Sequence, residues 1–199
     1  MLGVKVVDKE HDTRSGLLTE RLILRRWREA DRIPFRSMNA DVRVAEFLSR
    51  ARDAASSDAL MEGIETHFDV HGFGLFAVEL RESGEFAGFV GLSVPDFEAA
   101  FTPAVEIGWR LAAEYWGKGI ATEAAREVLR YGFEDVGLND VVSFTVPANV
   151  RSRAVMERLG MVRNTLDDFD HPGLPEGHAL RRHVLYRLDC QSWARGLRG

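Results

Sequence analysis

Gly117 and Gly119 sit in the stretch Tyr115-Trp-Gly-Lys-Gly-Ile-Ala-Thr122, between a strand-like run and a helix-like run. Glycine allows a sharp turn and close approach of backbone to a ligand. The first turn of the following helix adds unpaired N–H groups and the positive end of a dipole. Together these features make an anion site, most naturally for a phosphate or pyrophosphate. The same glycine pair also fits a plain strand-to-helix turn with no ligand. Two phosphate motifs fail. A P-loop needs Ser or Thr after Gly-Lys, and Gly119 follows Lys118. A dinucleotide fingerprint needs glycine at position 122, which is Thr122. Neither an NTPase nor a nicotinamide-dependent dehydrogenase is supported.

Other reactive residue types give weaker signals. His67 and His71 stand four apart on a helix-like run and could share a metal. No third ligand with suitable spacing follows, and a histidine near a helix C-terminus is favourable without metal, so none is expected. Cys190 has no neighbouring motif that marks a nucleophile. Trp27, Trp109 and Trp116 read as packing residues, with Trp109 also able to line a pocket.

The periodicities predict the elements that must position these groups. Strands are expected at 22–27, 74–80, 86–94, 105–111 (with a bulge at Gly108), 140–146 and 184–188. Helices are expected over 29–39, from Ser56 or Ser57 to His71, from 122 to about 131, and from an Asn149 cap to Leu159. Residues 161–166 read as extended, and 167–180 as a long loop holding or flanking His171, His178 and His183. Central strands in direct succession pair antiparallel, whereas the later strand-helix-strand pieces need crossovers. The class is a mixed α/β sheet with helices on its faces.

Composition bounds the rest. A chain of 199 residues at 45% hydrophobic and 29% charged can bury one core without staples. The net charge of −5 argues against nucleic acid as partner. One cysteine cannot close an internal disulfide, so a reducing compartment is the default. No apolar run of membrane-spanning length occurs, and the opening residues lack the apolar core of a signal peptide. The expectation is a cytoplasmic protein, monomer or homodimer, without membrane partners. It would have a polar lead at 1–16, one domain at 17–190 and a tail at 191–199.

The chain resembles the Gcn5-related N-acetyltransferase (GNAT) superfamily, in its RimJ/RimL-like branch. The resemblance rests on Leu18-Thr-Glu-Arg-Leu-Ile-Leu-Arg25, Glu106-Ile-Gly-Trp-Arg-Leu111, Tyr115-Trp-Gly-Lys-Gly-Ile-Ala-Thr-Glu-Ala124, Val146-Pro-Ala-Asn149 with Ser152, and Val155-Met-Glu-Arg-Leu-Gly-Met161. Trp116 stands where the superfamily's turn usually has Gln or Arg. The resemblance implies a single-domain, mostly antiparallel sheet splayed at a cofactor slot. It implies acetyl-CoA as cosubstrate and direct acetyl transfer to a primary amine, on a protein N-terminus or a small molecule. A non-catalytic acyl-CoA-binding sensor or scaffold is the rival reading.

Residue by residue, the resemblance places the pyrophosphate on the amides of Trp116, Gly117, Lys118, Gly119, Ile120, Ala121 and Thr122. It places the pantetheine arm along Trp109, Arg110 and Leu111, which should splay from the strand beginning at Asp140. A backbone N–H there would polarise the thioester carbonyl. Asn149 could bond the pantetheine amide, cap its helix, or both. Glu106 becomes the candidate base, against a plain strand carboxylate paired with an arginine. Ser152 becomes the hydrogen-bond donor to the leaving sulfur, against a first-turn serine bonded to its own backbone. The 167–180 loop should help close the acceptor site.

Overall fold

The structure is a computed structural model that describes residues 16–48 and 53–196; the expected polar lead, apart from Gly16, lies outside the described residues. Strands β1 (Leu17–Leu18) and β2 (Leu22–Arg25) form a small antiparallel pair. A 3-10 turn (Glu29–Asp31) leads into α1 (Arg32–Ala40), then the short α2 (Val42–Ala45) and the long α3 (Ala54–His71). The Asp53 carboxylate accepts the Ser56 N–H to start α3. Gly72, at φ +76°, ends it in the left-handed region open to glycine.

Strands β3 (Leu75–Leu80), β4 (Phe86–Ser93) and β5 (Glu106–Leu111) form an antiparallel meander. Helix α4 (Ile120–Arg130) crosses to β6 (Asp140–Thr145), and α5 (Val150–Arg158) leads to β7 (Val162–Arg163). The last elements are β8 (Phe169–Asp170), β9 (Arg182–Asp189) and α6 (Cys190–Gly196). Among the described residues the sheet order is β1-β2-β3-β4-β5-β6-β9-β7, with β8 also on β9. The only parallel neighbours in it are β5 and β6, as the α4 crossover requires.

The core lies between the sheet and its helices. Ile107 and Leu111 of β5 are buried, as are Ala124, Ala125, Val128 and Leu129 of α4. Four apolar positions at helical spacing hold the start of α4 in register with β5. On the first helices' side, Arg25 forks onto both oxygens of Asp31 (2.7 and 2.8 Å) and also bonds Glu79 (2.7 Å). The Arg25 side chain is only 8% exposed, so its charge is matched and hydrogen bonded where water cannot reach. This ties β2, β3 and the entry to α1 together.

Several expectations need correction. Strand β2 ends at Arg25, because Trp27 turns inward: its indole N–H bonds the Leu75 carbonyl (2.7 Å) and its ring meets Phe35 edge-on. No bulge occurs at Gly108; the β4–β5 register runs unbroken, and the irregularity lies between Val78 and Glu79. The 167–180 stretch is not all loop, since β8 pairs with β9. The expected tail is helical: Cys190 begins a helix that runs to Gly196 and buries Trp193 against Phe133. Among the described residues no helix is long and apolar enough to cross a membrane.

Candidate active site

Strands β5 and β6 share a single bridge, Glu106 with Val142, made by the Val142 N–H on the Val105 carbonyl (2.9 Å). Beyond it they part. Each is held to its other neighbour over six register pairs, β5 to β4 and β6 to β9. The sheet is thus two half-sheets opening from one rung. Backbone groups alternate sides along a strand. The Val105 carbonyl faces β6, and the Ala112 N–H bonds the Ala87 carbonyl (3.0 Å) on the β4 side. Hence Trp109 and Leu111 present their N–H groups to the open gap, and the Arg110 N–H belongs to the β4 ladder. The expected edge at Trp109-Arg110-Leu111 is therefore Trp109 and Leu111 only. The Arg110 side chain bonds Asn39 (2.8 Å) and lies over Phe89. The Leu111 carbonyl takes the Trp116 indole N–H (2.9 Å).

The gap opens into a cleft of about 1310 Å³. Its walls include Glu106, Trp109, Arg110, Leu111, Asn149 and Ser152, together with Trp116, Gly117 and Gly119 to Thr122. Lys118 is not among the lining residues; its ammonium lies 5.6 Å from the Tyr115 ring. Gly117 and Gly119 adopt φ of +71° and +78°. Gly119 caps α4 without any side-chain cap, so the N–H groups of Ile120, Ala121 and Thr122 have no acceptor among the described residues. Trp116 differs from the expectation: its N–H bonds the Ala113 carbonyl (3.2 Å), so the row of free amides begins after it.

Glu123, in the first turn of α4, would repel an anion there. Burial opposes its ionisation, but the Thr19 hydroxyl (2.6 Å), the Arg21 N–H (2.9 Å) and the Arg21 guanidinium (2.6 Å) outweigh this and hold its pKa below the usual range. Arg21 also donates to the Lys118 carbonyl (3.0 Å), fixing the glycine turn from β2's end. The carboxylate is therefore neutralised and the turn braced by one arginine. Arg126 and Arg158, both exposed, add positive charge to the same cleft.

Glu106 lies beside the single rung. Burial pushes its pKa up to about 8, opposed by a hydrogen bond from Ser93, its register partner on β4. Gly108, next on the same face, leaves open floor: a Cβ there would meet only Glu106 Oε1, at 3.7 Å. Ser152 occupies the first turn of α5, and its N–H bonds the Asn149 side-chain oxygen (3.2 Å). The Asn149 amide donates in turn to the Thr145 hydroxyl (3.0 Å). Asn149 therefore caps α5, with one N–H left over. Asn149→Ala should lower stability by about 1 kcal/mol, the usual cost of a lost side-chain cap. Urea unfolding checks this, and an unchanged midpoint would show the cap to be idle.

Phe144, which carried no sequence signal, lines the cleft, as do His171 and His183, the two histidines expected in or beside the 167–180 loop; His178 is not among the lining residues. His67 is settled differently: one ring nitrogen bonds the Phe73 carbonyl (2.9 Å) and the other accepts the Val94 N–H (3.0 Å), so both stitch α3 to the sheet.

Comparison with known proteins gives a consistent picture. The acetyltransferase (GNAT) domain family matches residues 21–162. The FsC-acetyl coenzyme A-N(2)-transacetylase of Aspergillus fumigatus is 38% identical over 134 residues, covering 63% of this chain and 54% of that protein. The [ribosomal protein uS5]-alanine N-acetyltransferase of Escherichia coli is 26% identical over 129 residues, covering 62% of this chain and 60% of that one. The chain thus spans little more than half of these relatives' lengths. An acetyltransferase structure from Agrobacterium tumefaciens superposes with TM-score 0.70 at 29% identity, over 86% of this chain and 92% of that one.

Proposed function

The chain belongs to the GNAT acetyltransferase family, and from that premise we propose that it transfers the acetyl group of acetyl-CoA directly to a primary amine, with Glu106 as base and Ser152 at the leaving sulfur. The observation that carries this reading is the parting of β5 from β6 next to an uncapped helix start, with a carboxyl at the crotch. The cosubstrate supplies an activated acetyl thioester. The free amides from Gly117 to Thr122 fit its pyrophosphate, with Arg126 and Arg158 as countercharges. The exposed edge at Trp109 and Leu111 fits the extended arm that bears the thioester, and a slot N–H polarises its carbonyl.

The acceptor enters as an ammonium and must lose a proton before nitrogen can attack. Glu106 takes that proton; the C–N bond forms, the C–S bond breaks, and the departing thiolate is met by the Ser152 hydroxyl. Serine is a weak acid, so it donates a hydrogen bond, and the second proton, shed by the nitrogen as it becomes an amide, reaches the thiolate through water. No acetyl-enzyme is needed. The acceptors named for the two relatives differ, so neither is taken as this chain's substrate.

Calorimetric titration with CoA, followed by release of free thiol from acetyl-CoA across a panel of amines, tests the reading. Binding together with amine-dependent thiol release is expected. Binding without thiol release from any amine would leave the acyl-CoA-binding sensor as the better account.

A further inference from the structure

Six aromatic rings from four separate stretches meet beside Glu106: Phe97, Phe101, Phe144, Phe169, His171 and His183. Neighbouring centroids lie 4.6 to 6.3 Å apart, among them Phe97–His171 at 4.6 Å, Phe101–Phe169 at 4.8 Å and Phe169–His183 at 5.5 Å. Such a cluster would ordinarily be core. Here none of the six is buried; all keep part of their surface open. Phe144, His171 and His183 line the cleft itself.

The sheet puts this patch on the reacting side. Paired residues in a ladder point to one face, as do residues two apart. Glu106 pairs with Val142, so Phe144 shares the face of Glu106. Phe144 pairs with Leu185, which places His183 there, and His183 pairs with Phe169. Carboxyl and rings therefore border one space, continuous with the gap in the sheet.

Both histidines are biased towards the neutral imidazole. Burial holds each below the ordinary value, with Asp96 opposing this for His171, and the Arg181 carbonyl and Asp170 opposing it for His183. Their tautomers are set by the backbone. His183 Nδ1 must donate to the Arg181 carbonyl (3.0 Å), and His171 Nδ1 accepts the Gly173 N–H (3.1 Å). Asp170, at the edge, is paired with Arg181 and Arg182. The surface presented is thus aromatic, its rings set mostly edge to face (Phe144–Phe169 at 82°, Phe144–His183 at 68°), with Asp96 and the paired Asp170 at its edge.

Resting on the acetyltransfer reading above, we propose that this patch selects the acceptor: an amine carrying a planar aromatic group one short linker from its nitrogen. The amine lies at Glu106 and the aromatic group packs among Phe144, His171 and His183, which line the cleft and are backed by Phe169. Ring-on-ring contact adds to the burial of the flat group. An aliphatic amine of equal length gains less there, and a diamine must desolvate a second ammonium.

The test compares 2-phenylethylamine, hexylamine and 1,4-diaminobutane at saturating acetyl-CoA, in the wild type and in Phe169→Ala. We expect kcat/KM for the arylalkylamine to exceed that of either aliphatic amine by about tenfold or more. We expect Phe169→Ala to shrink that preference at least fivefold, through KM, while CoA affinity by calorimetry holds. Circular dichroism melting confirms the variant's fold. Should it be unfolded, Phe144→Leu replaces it, with the same shrinkage expected. Saturation-transfer NMR on the CoA-loaded protein adds a binding readout, with contact expected from the phenyl protons. Equal kcat/KM for the three amines, a diamine preference, or equal losses in the variant would overturn the proposal. So would a CoA-loaded protein that neither binds nor acetylates the arylalkylamine; that result leaves the donor reading standing. Failure to bind CoA at all defeats the donor reading and this proposal with it.

Discussion

Glu106→Gln should slow acetyl transfer by roughly 10²–10⁴-fold at pH 7, with CoA affinity nearly unchanged. Glutamine keeps the shape and the hydrogen-bonding capacity towards Ser93 but cannot take a proton. Glu106 opens β5 at the β5–β6 rung and the glycine turn follows the other end of that strand, so donor binding should be spared. The pH dependence gives the sharper reading. Burial pushes Glu106 up to about 8, so it is protonated over most of the range below that. If it is the base, wild-type kcat/KM rises with pH along two limbs, one from Glu106 and one from the free amine. The variant keeps only the amine's limb, and its deficit narrows as pH approaches the amine's own pKa. The measurement is a pair of pH–rate profiles with one turned-over amine. Parallel profiles with near-equal rates at pH 7 would reduce Glu106 to a structural carboxyl, leaving proton loss to water and catalysis to positioning in the slot.

Gly119→Val should weaken CoA binding by tenfold or more, a loss of at least ~1.4 kcal/mol. Two separate effects add. Gly119 sits at φ +78°, where a β-branched residue is strained. An added Cβ would also stand 3.4 Å from the Arg21 guanidinium, the group that braces the turn and neutralises Glu123. Any shift there misaligns the uncapped amides of α4 and puts branched methyls where phosphate oxygens should pass. Unchanged affinity in a folded variant, read by calorimetry, would move the pyrophosphate away from this turn.

What could be read from the chain in advance was whatever is local. The glycine turn, the Asn149 cap, the helix ends near His71 and Leu159 and the order of the main elements each depend on residues within a few positions of one another. The β5–β6 gap was expected only through family resemblance, because a missing ladder leaves no trace in periodicity. Distant pairings stayed hidden. Arg21 reaches Glu123 across 102 positions, and the two look like unrelated surface charges in the chain. The aromatic patch draws on residues 97, 101, 144, 169, 171 and 183; the two histidines stood out with their loop, but the four phenylalanines do not stand out beside their own neighbours. Trp193 follows the last strand so closely that its stretch reads as a polar tail, until α6 folds it onto Phe133. The misplaced bulge has a similar origin. Gly108 suggested a kink, but its missing side chain serves space beside Glu106 and leaves the pairing regular.

The single rung between β5 and β6 has a consequence for what this protein avoids. Unpaired strand edges are templates for other chains, and proteins usually guard them with charge, proline, bulges or covering segments. Here such an edge lies in the middle of a sheet, walled by the partner half-sheet on one side and by α4 and α5 around its mouth. A second polypeptide strand brings side chains on both faces and would need both walls to spread. A slender, side-chain-free arm does not. The recess therefore works as a gauge of thickness. It keeps strand addition available to a thin ligand and closes it to neighbouring proteins, so the edge can stay hydrogen-bond-hungry without becoming a seed for aggregation.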